Sequence, residues 1–260
     1  MQALISTWKS EVETHQPDNS TIHSIIEALD NGDIRVAEQR GGQWIVHEWI
    51  KSAIVRYFGI MNIKEYTCGI LGFRDKIPVK SDFSKVRVVP GGSSVRFGVH
   101  LEEQVVLMPP CYVNIGARIG AGTMVDSNVL VGSCAQIGKQ VHLSAGVQIG
   151  GVLEPVNARP VIIEDHVFVG AGAIIVEGIL VRENAIIAPG VVLSAGTKIL
   201  EVNKEGHIVK NHNSIIPKDA IVVPGARKRG EVMLQSPIII GYRNEKTDAK
   251  VALSHFLREF

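Results

Sequence analysis

The stretch LMPPCYVNIGARIGAGTMVDSNVLVGSCAQIGKQVHLSAGVQIGGVLEP, residues 107–155, carries an aliphatic side chain at every sixth position from Leu107. Leu107, Val113, Ile119, Val125, Val131, Ile137, Leu143 and Ile149 mark the period, and Val95 and Leu101 extend it upstream without a slip. Residues 155–162 (PVNARPVI) interrupt it. It resumes at Ile163, Val169, Ile175, Val181, Ile187, Leu193 and Ile199. The fifth position of each hexad is small or aliphatic, from Val99, Val105 and Cys111 to Ala185, Val191 and Thr197, and the second is glycine at 120, 132, 138, 150 and 170. A helical period of 3.6 residues cannot produce this pattern. A hexapeptide repeat forms one short flat strand and one turn, and three hexads close a triangular coil whose first-position side chains point inward. Each coil caps the aliphatic layer of the one before. Glycine at the second position is expected to serve a turn that needs positive φ. The predicted fold is mainly β: a left-handed parallel β-helix over 95–199, with 155–162 leaving the column at one corner.

Residues 1–94 read as a separate helical and mixed unit. Leu4, Ile5 and Trp8 fall on one helical face, and Ile22, Ile25, Ile26 and Leu29 repeat at helical spacing. Ser20 or Thr21 is a candidate cap for the second helix, and Asn31-Gly32 a stop. Ile34 to Ala37 reads as a short strand, Gly41-Gly42 as a turn, and Trp44 to Phe58 as a helix. Residues 61–94 read as irregular, broken by Pro78, Pro90 and Gly91-Gly92. After Ile199 the period fails, and 200–260 reads as a small C-terminal cap over the open end of the column. It has a turn at Asn203–Gly206, strand-like runs at 221–223 and 238–240, and a final helix from Asp248 to Phe260.

The bulk numbers exclude several classes. With 45% hydrophobic and 20% charged residues the 260-residue chain has a globular composition, and a net charge of +1 gives no field favouring nucleic acid or a membrane. Only 5% aromatics beside 26 glycines suits tight repeated turns. The first residues lack the apolar core of a secretory signal, and no run is long and apolar enough for a membrane helix. Cys68, Cys111 and Cys134 show no CxxC spacing, so reduced thiols and a cytoplasmic location are expected.

Within 107–155 the pieces YVNIGA, GTMVD, VGSCAQIGK, VHLS and IGGVLEP closely resemble the tetrahydrodipicolinate N-succinyltransferase family. IIED (162–165), VEG (176–178), RVAE (35–38), GQW (42–44) and RVVP (87–90) extend the resemblance over about residues 20–200. It implies transfer of a succinyl group from succinyl-CoA to the amino group of ring-opened tetrahydrodipicolinate, a step towards diaminopimelate and lysine, on a homotrimer without a metal. It implies Asp126 of GTMVD as the base that takes a proton from the amine, and Glu177 of VEG as a second functional carboxylate. It also implies Arg87 of RVVP as a substrate-binding residue, a role suited to a guanidinium facing a dicarboxylate. Gly151 would offer a backbone group beside the reacting amine. Asp126 and Glu177 lie 51 residues apart, or 43 without the loop. At about 4.8 Å per coil that is on the order of 11 Å along the axis, too far for a tight dyad. Arg227, Lys228 and Arg229, with Lys198, Lys204 and Lys218, are candidates for the CoA phosphates.

The sequence departs from the family pattern at Ser127-Asn128, at Ala188-Pro189-Gly190 and at Pro109-Pro110-Cys111. These departures keep open a paralogue using acetyl-CoA or a related amino acid in a tabtoxin-like pathway. Two readings of other classes stand beside it. A non-catalytic β-helix scaffold would not need Asp126, Glu177 and Arg87 together. A carbonic anhydrase-type zinc site would need three histidines, and the H-x4-H pair His207/His212 lies beyond the hexads.

Overall fold

The computed structural model describes residues 2–14 and 17–244. Three parallel sheets wrap one apolar core. The first face stacks His100–Leu101, Arg118–Ile119, Gln136–Ile137, Ile162–Ile163, Leu180–Val181 and Ile215–Ile216. The second stacks Arg87–Val88, Val106–Leu107, Met124–Val125, His142–Leu143, Phe168–Val169, Ile186–Ile187 and Ala220–Val223. The third runs from Ser94–Val95 through Tyr112–Val113, Leu130–Val131, Gln148–Ile149 and Ile174–Ile175 to Val192–Leu193. The rungs sit 18 residues apart, as in Ile119↔Ile137 and Val125↔Leu143. The excursion after Ile149 lengthens one step on each face, to Ile137↔Ile163, Leu143↔Val169 and Ile149↔Ile175. All seventeen first-position residues lie in a single core, none more than 6% exposed.

The turns correct one expectation. The second-position glycines do not adopt positive φ; they are glycine because coils stack there backbone to backbone. A Cβ on Gly120 would lie 2.5 Å from the Gly138 carbonyl carbon, and one on Gly170 2.5 Å from the Pro189 nitrogen. Positive φ belongs to the fourth position, occupied by Gly98, Gly116 and Gly122 and also by Gln104, Asn128 and Cys134.

The column reaches past both ends of the 95–199 period. Arg87–Val88 pairs in parallel with Val106–Leu107, so the first rung of the second face lies within the segment read as irregular. That segment also holds the hairpin Lys64–Cys68/Leu71–Asp75. At the other end Ile199 leaves the column for strand Ile199–Val202, which pairs with Ile208–His212 and Ile238–Tyr242. The chain then returns to the column: Ile216 pairs with Val181, and Val222 with Ile187. The expected helix from Asp248 lies outside the described residues.

Helices α1 (Gln2–Glu13), α2 (Asn19–Asn31) and α3 (Glu48–Ile60) form a second core with Ile115 and Cys134 of the column. In α1 the buried pair is Trp8 and Val12, while Leu4 is exposed. The N-cap of α2 is Asp18, whose carboxylate accepts from the Thr21 N–H at 2.6 Å, rather than Ser20 or Thr21. Gly32 (φ 85°) ends the helix as read. The short strand starts later than expected, at Ala37–Arg40, and pairs with Gln43–Val46, so Trp44 is in a strand and α3 starts at Glu48. That hairpin packs Ala37, Trp44 and Val46 on Ile162 and Leu180. The N-terminal unit therefore covers the first face and, through Ile115 and Cys134, the early coils of the corner between the third face and the first; the corner between the second and third faces and the later coils of the other are left for chemistry.

Candidate active site

The proposed site residues fall on two different corners of the column. Asp126 and Arg87 belong to the second face, and Gly151 and Glu177 to the turns between the third face and the first.

Asp126 directly follows strand Met124–Val125, and its backbone N–H donates to Leu143 O at 2.9 Å, which anchors the turn to the next coil. One carboxylate oxygen, Oδ1, accepts from the Ser127 N–H at 2.7 Å. The other, Oδ2, faces His142 Nε2 across 3.9 Å, longer than a hydrogen bond. The His142 imidazole stands edge-on to Phe168, with ring centres 5.2 Å apart, and is 13% exposed against 29% for Asp126. The spacing of 18 residues puts His142 directly over Met124. The linear motifs do not single out this neighbour of Asp126, although the coil period points to it. Arg87 lies two rungs from Met124 on the same sheet, with Val106 between, or about 10 Å along the axis.

The other corner is a cleft of about 690 Å³ lined by Gly150, Gly151, Val152, Glu154, Pro155, Ala158, Arg159, Val176, Glu177, Gly178 and Ser214. Glu177 sits in it with φ 55°, followed by Gly178 with φ 70°. Among the described hexads Glu177 is the one third-position residue with positive φ, a conformation costly for a residue with a Cβ. Its Oε2 accepts from the Ala195 N–H at 3.0 Å. Arg159, from the excursion, donates through Nε to Gly178 O at 2.8 Å and through Nη2 to Ser214 O at 3.2 Å. Burial, and then the neighbouring Arg182, push the Arg159 pKa down. Gly151 lies where the chain leaves the column, and a Cβ there would meet the Ser133 nitrogen at 2.5 Å.

Within one protomer the third face and about two and a third coils separate Asp126 from Glu177, so the structure does not bring the two carboxylates together. Arg227, Lys228 and Arg229 form a hairpin with residues 232–234 that directly follows the last column strand of the second face. Arg227 is partly buried and the other two are exposed. Among the described residues no three His, Cys, Asp or Glu side chains converge as metal ligands, and His212 pairs with Glu201 at 2.7 Å. No described helix is long and apolar enough to cross a membrane.

Residues 2–60 match the family model for the tetrahydrodipicolinate N-succinyltransferase N-terminal region, and 160–195 that for the hexapeptide repeat of succinyl-transferase. The 2,3,4,5-tetrahydropyridine-2,6-dicarboxylate N-succinyltransferase of Acinetobacter baylyi is 44% identical, over 91% of this chain and 88% of its own. The chain belongs to the tetrahydropyridine-dicarboxylate N-succinyltransferase family. The N-succinyltransferase of Caulobacter vibrioides is 38% identical over 98% of this chain and 97% of its own, so the match runs almost end to end. That of Idiomarina loihiensis is 42% identical over 91% and 88%. A solved Campylobacter jejuni structure named as a 2,3,4,5-tetrahydropyridine-2-carboxylate N-succinyltransferase superposes with a TM-score of 0.50. It covers 86% of this chain and 63% of that one, and at 18% identity it speaks to the fold alone. As a member of this N-succinyltransferase family the chain is an acyltransferase, with an acyl-CoA as co-substrate.

Proposed function

We propose that this protein transfers the succinyl group of succinyl-CoA to the amino group of ring-opened tetrahydrodipicolinate, in the route to diaminopimelate and lysine. The observation that carries the reading is the near full-length relationship to N-succinyltransferases, together with a column that keeps Asp126, Arg87, Gly151 and Glu177 on rigid turns and strands. The three-sided column is of the left-handed class that a hexapeptide period builds.

The substrate amine is an ammonium at neutral pH and must lose a proton before it attacks. Asp126 takes that proton; the Ser127 N–H fixes one oxygen and leaves the other directed towards the His142 ring. The amine nitrogen bonds to the thioester carbon, and the carbonyl oxygen becomes an oxyanion for which backbone N–H groups of the turns are suited donors. Collapse breaks the C–S bond, and the CoA sulfur leaves as it takes the second proton, which the nitrogen sheds on becoming an amide. Arg87 grips a substrate carboxylate. Glu177 orients the substrate from the other corner, beside the Gly151 backbone.

A homotrimer unites these parts. A corner of one protomer carrying Asp126 and Arg87 faces the Glu177 corner of its neighbour, and the acyl-CoA lies in the seam. The hairpin of Arg227, Lys228 and Arg229 follows Ala220–Val223, which lies four rungs beyond Met124 on the second face, about 19 Å along the axis, a reach suited to the CoA phosphates. The helical unit, the column and the C-terminal strands act as three units of one cytoplasmic enzyme. The test follows thiol release from succinyl-CoA and from acetyl-CoA with tetrahydrodipicolinate or 2-aminopimelate as acceptor. The reading expects acceptor-dependent thiol release from succinyl-CoA; release with acetyl-CoA alone, or none, contradicts it.

A further inference from the structure

Lys51 of α3 is fully buried, an unusual state for an ammonium. Among the described residues it forms no ion pair with a carboxylate. Its Nζ donates instead to two backbone carbonyls of the excursion, Pro155 O at 3.1 Å and Ala158 O at 2.8 Å. The nearby Cys134 thiol stays neutral, since burial pushes its pKa up to about 12. Burial pushes the Lys51 pKa down. A desolvated charge held by two carbonyl dipoles, with the Glu48 carboxylate acting on it from the same helix beyond ion-pair distance, is costly, and what it fixes is the wall of the cleft that holds Gly151 and Glu177.

The chain of contacts continues from there. The residue after Ala158 is Arg159, which donates to Gly178 O at 2.8 Å, next to Glu177 in the positive-φ turn. The fit is close in the other direction too: a Cβ on Gly178 would lie 2.5 Å from Arg159 O. Glu177 in turn accepts the Ala195 N–H on the following coil. At the other end α3 is clamped to the column, where Ile50, Ala53 and Ile54 share a core with Ile115 and Cys134. Lys51 is thus a fixed post on a rigid helix, and the excursion hangs from it.

We infer that Lys51 is a positioning residue for the acyl-transfer cleft, acting through the Pro155 and Ala158 carbonyls and Arg159 to hold the turn that presents Glu177. This rests on the function proposed above for its kinetic consequences and on the contacts alone for its structural ones. The experiment uses the full-length chain with Lys51→Met, Lys51→Arg, Arg159→Met and the Lys51→Met/Arg159→Met double variant. Each is measured for oligomeric state, for kcat and KM with both substrates, and for amide hydrogen exchange. In folded Lys51→Met the KM for the amine substrate should rise about 10-fold, while the KM for succinyl-CoA stays within about twofold. Lys51→Arg should restore most of the loss. The double variant should be no worse than Arg159→Met, as two members of one relay are non-additive. Exchange should rise about 10-fold at residues 156–159 and at the Ala195 amide.

A folded Lys51→Met with unchanged amine KM and an unchanged Ala195 amide overturns the inference, and so do additive losses in the double variant. If Lys51→Met fails to fold, Arg159→Met decides: an unchanged Ala195 amide there breaks the relay at its second link. If the wild-type chain shows no turnover, the succinyl-transfer reading falls, and the exchange at Ala195 still decides on the relay.

Discussion

The carboxylates of this protein differ in what their surroundings ask of them. Asp126 has one oxygen committed to the Ser127 N–H and the other directed towards His142, a geometry suited to taking a proton. Asp126→Asn keeps the turn hydrogen bond and removes the basicity. It should lower kcat by about 100-fold or more in the thiol-release assay while the chain elutes at the wild-type size; full activity would remove Asp126 from the mechanism. Glu177 pays a conformational penalty at φ 55° that a glycine would not. Glu177→Gly should therefore unfold in urea within about 1 kcal/mol of wild type or later, yet lose turnover; a large destabilisation would mean that the side chain serves the fold. Glu102 serves stability. Burial alone would raise its pKa, but Arg118 at 2.8 Å and the Ala121 N–H at 3.0 Å more than offset that and hold it below the ordinary glutamate value. A carboxylate depressed in the folded state stabilises fully above its unfolded value, and the contribution is lost as the pH falls through the lower, folded value. Stability against urea should fall as the pH drops below about 4.5, and Glu102→Gln should flatten that part of the profile. An unaltered slope would contradict the assignment.

At the scale of the element, the coil asks two separate things of glycine. A Cβ on Gly132 would lie 2.1 Å from the Gly151 nitrogen, a backbone atom of the neighbouring coil that cannot step aside. Gly172 has open space around it and needs only its φ of 67°. Gly132→Ala should cost about 3 kcal/mol or more by overpacking, and Gly172→Ala about 1–2 kcal/mol by strain; equal costs in urea unfolding would contradict the distinction. The same elements explain what was legible in the sequence. The inward first positions are fixed by burial, so the period alone identified the column. The φ requirement was assigned to the wrong position because second-position glycine answers to the neighbouring coil, which a linear pattern does not display. Ile216 and Val222 keep the six-residue spacing, but the strands at 199–212 separate them from the earlier hexads, and the return to the column was missed. Asp126, Glu177 and Arg87 could be named through the family resemblance. Arg159 and Lys51 could not be found, since their contacts depend on the path of an aperiodic excursion. His142 could have been, as it lies one coil above Met124.

The whole molecule presents a rigid column with the N-terminal unit over its first face and two chemically distinct corners on either side of its third. In a single protomer the Asp126 and Glu177 corners lie on opposite sides of the third face. In the proposed trimer each seam joins the Asp126 corner of one protomer to the Glu177 corner of the next. Mixing two inactive variants, Asp126→Asn and Glu177→Gln, tests this most directly, after unfolding and refolding them together in equal amounts. Random assembly places an intact Asp126 against an intact Glu177 in about one seam in four. Succinyl-CoA-dependent thiol release should therefore recover to about a quarter of the wild-type rate; a mixture as inactive as its parents would contradict a site shared between protomers.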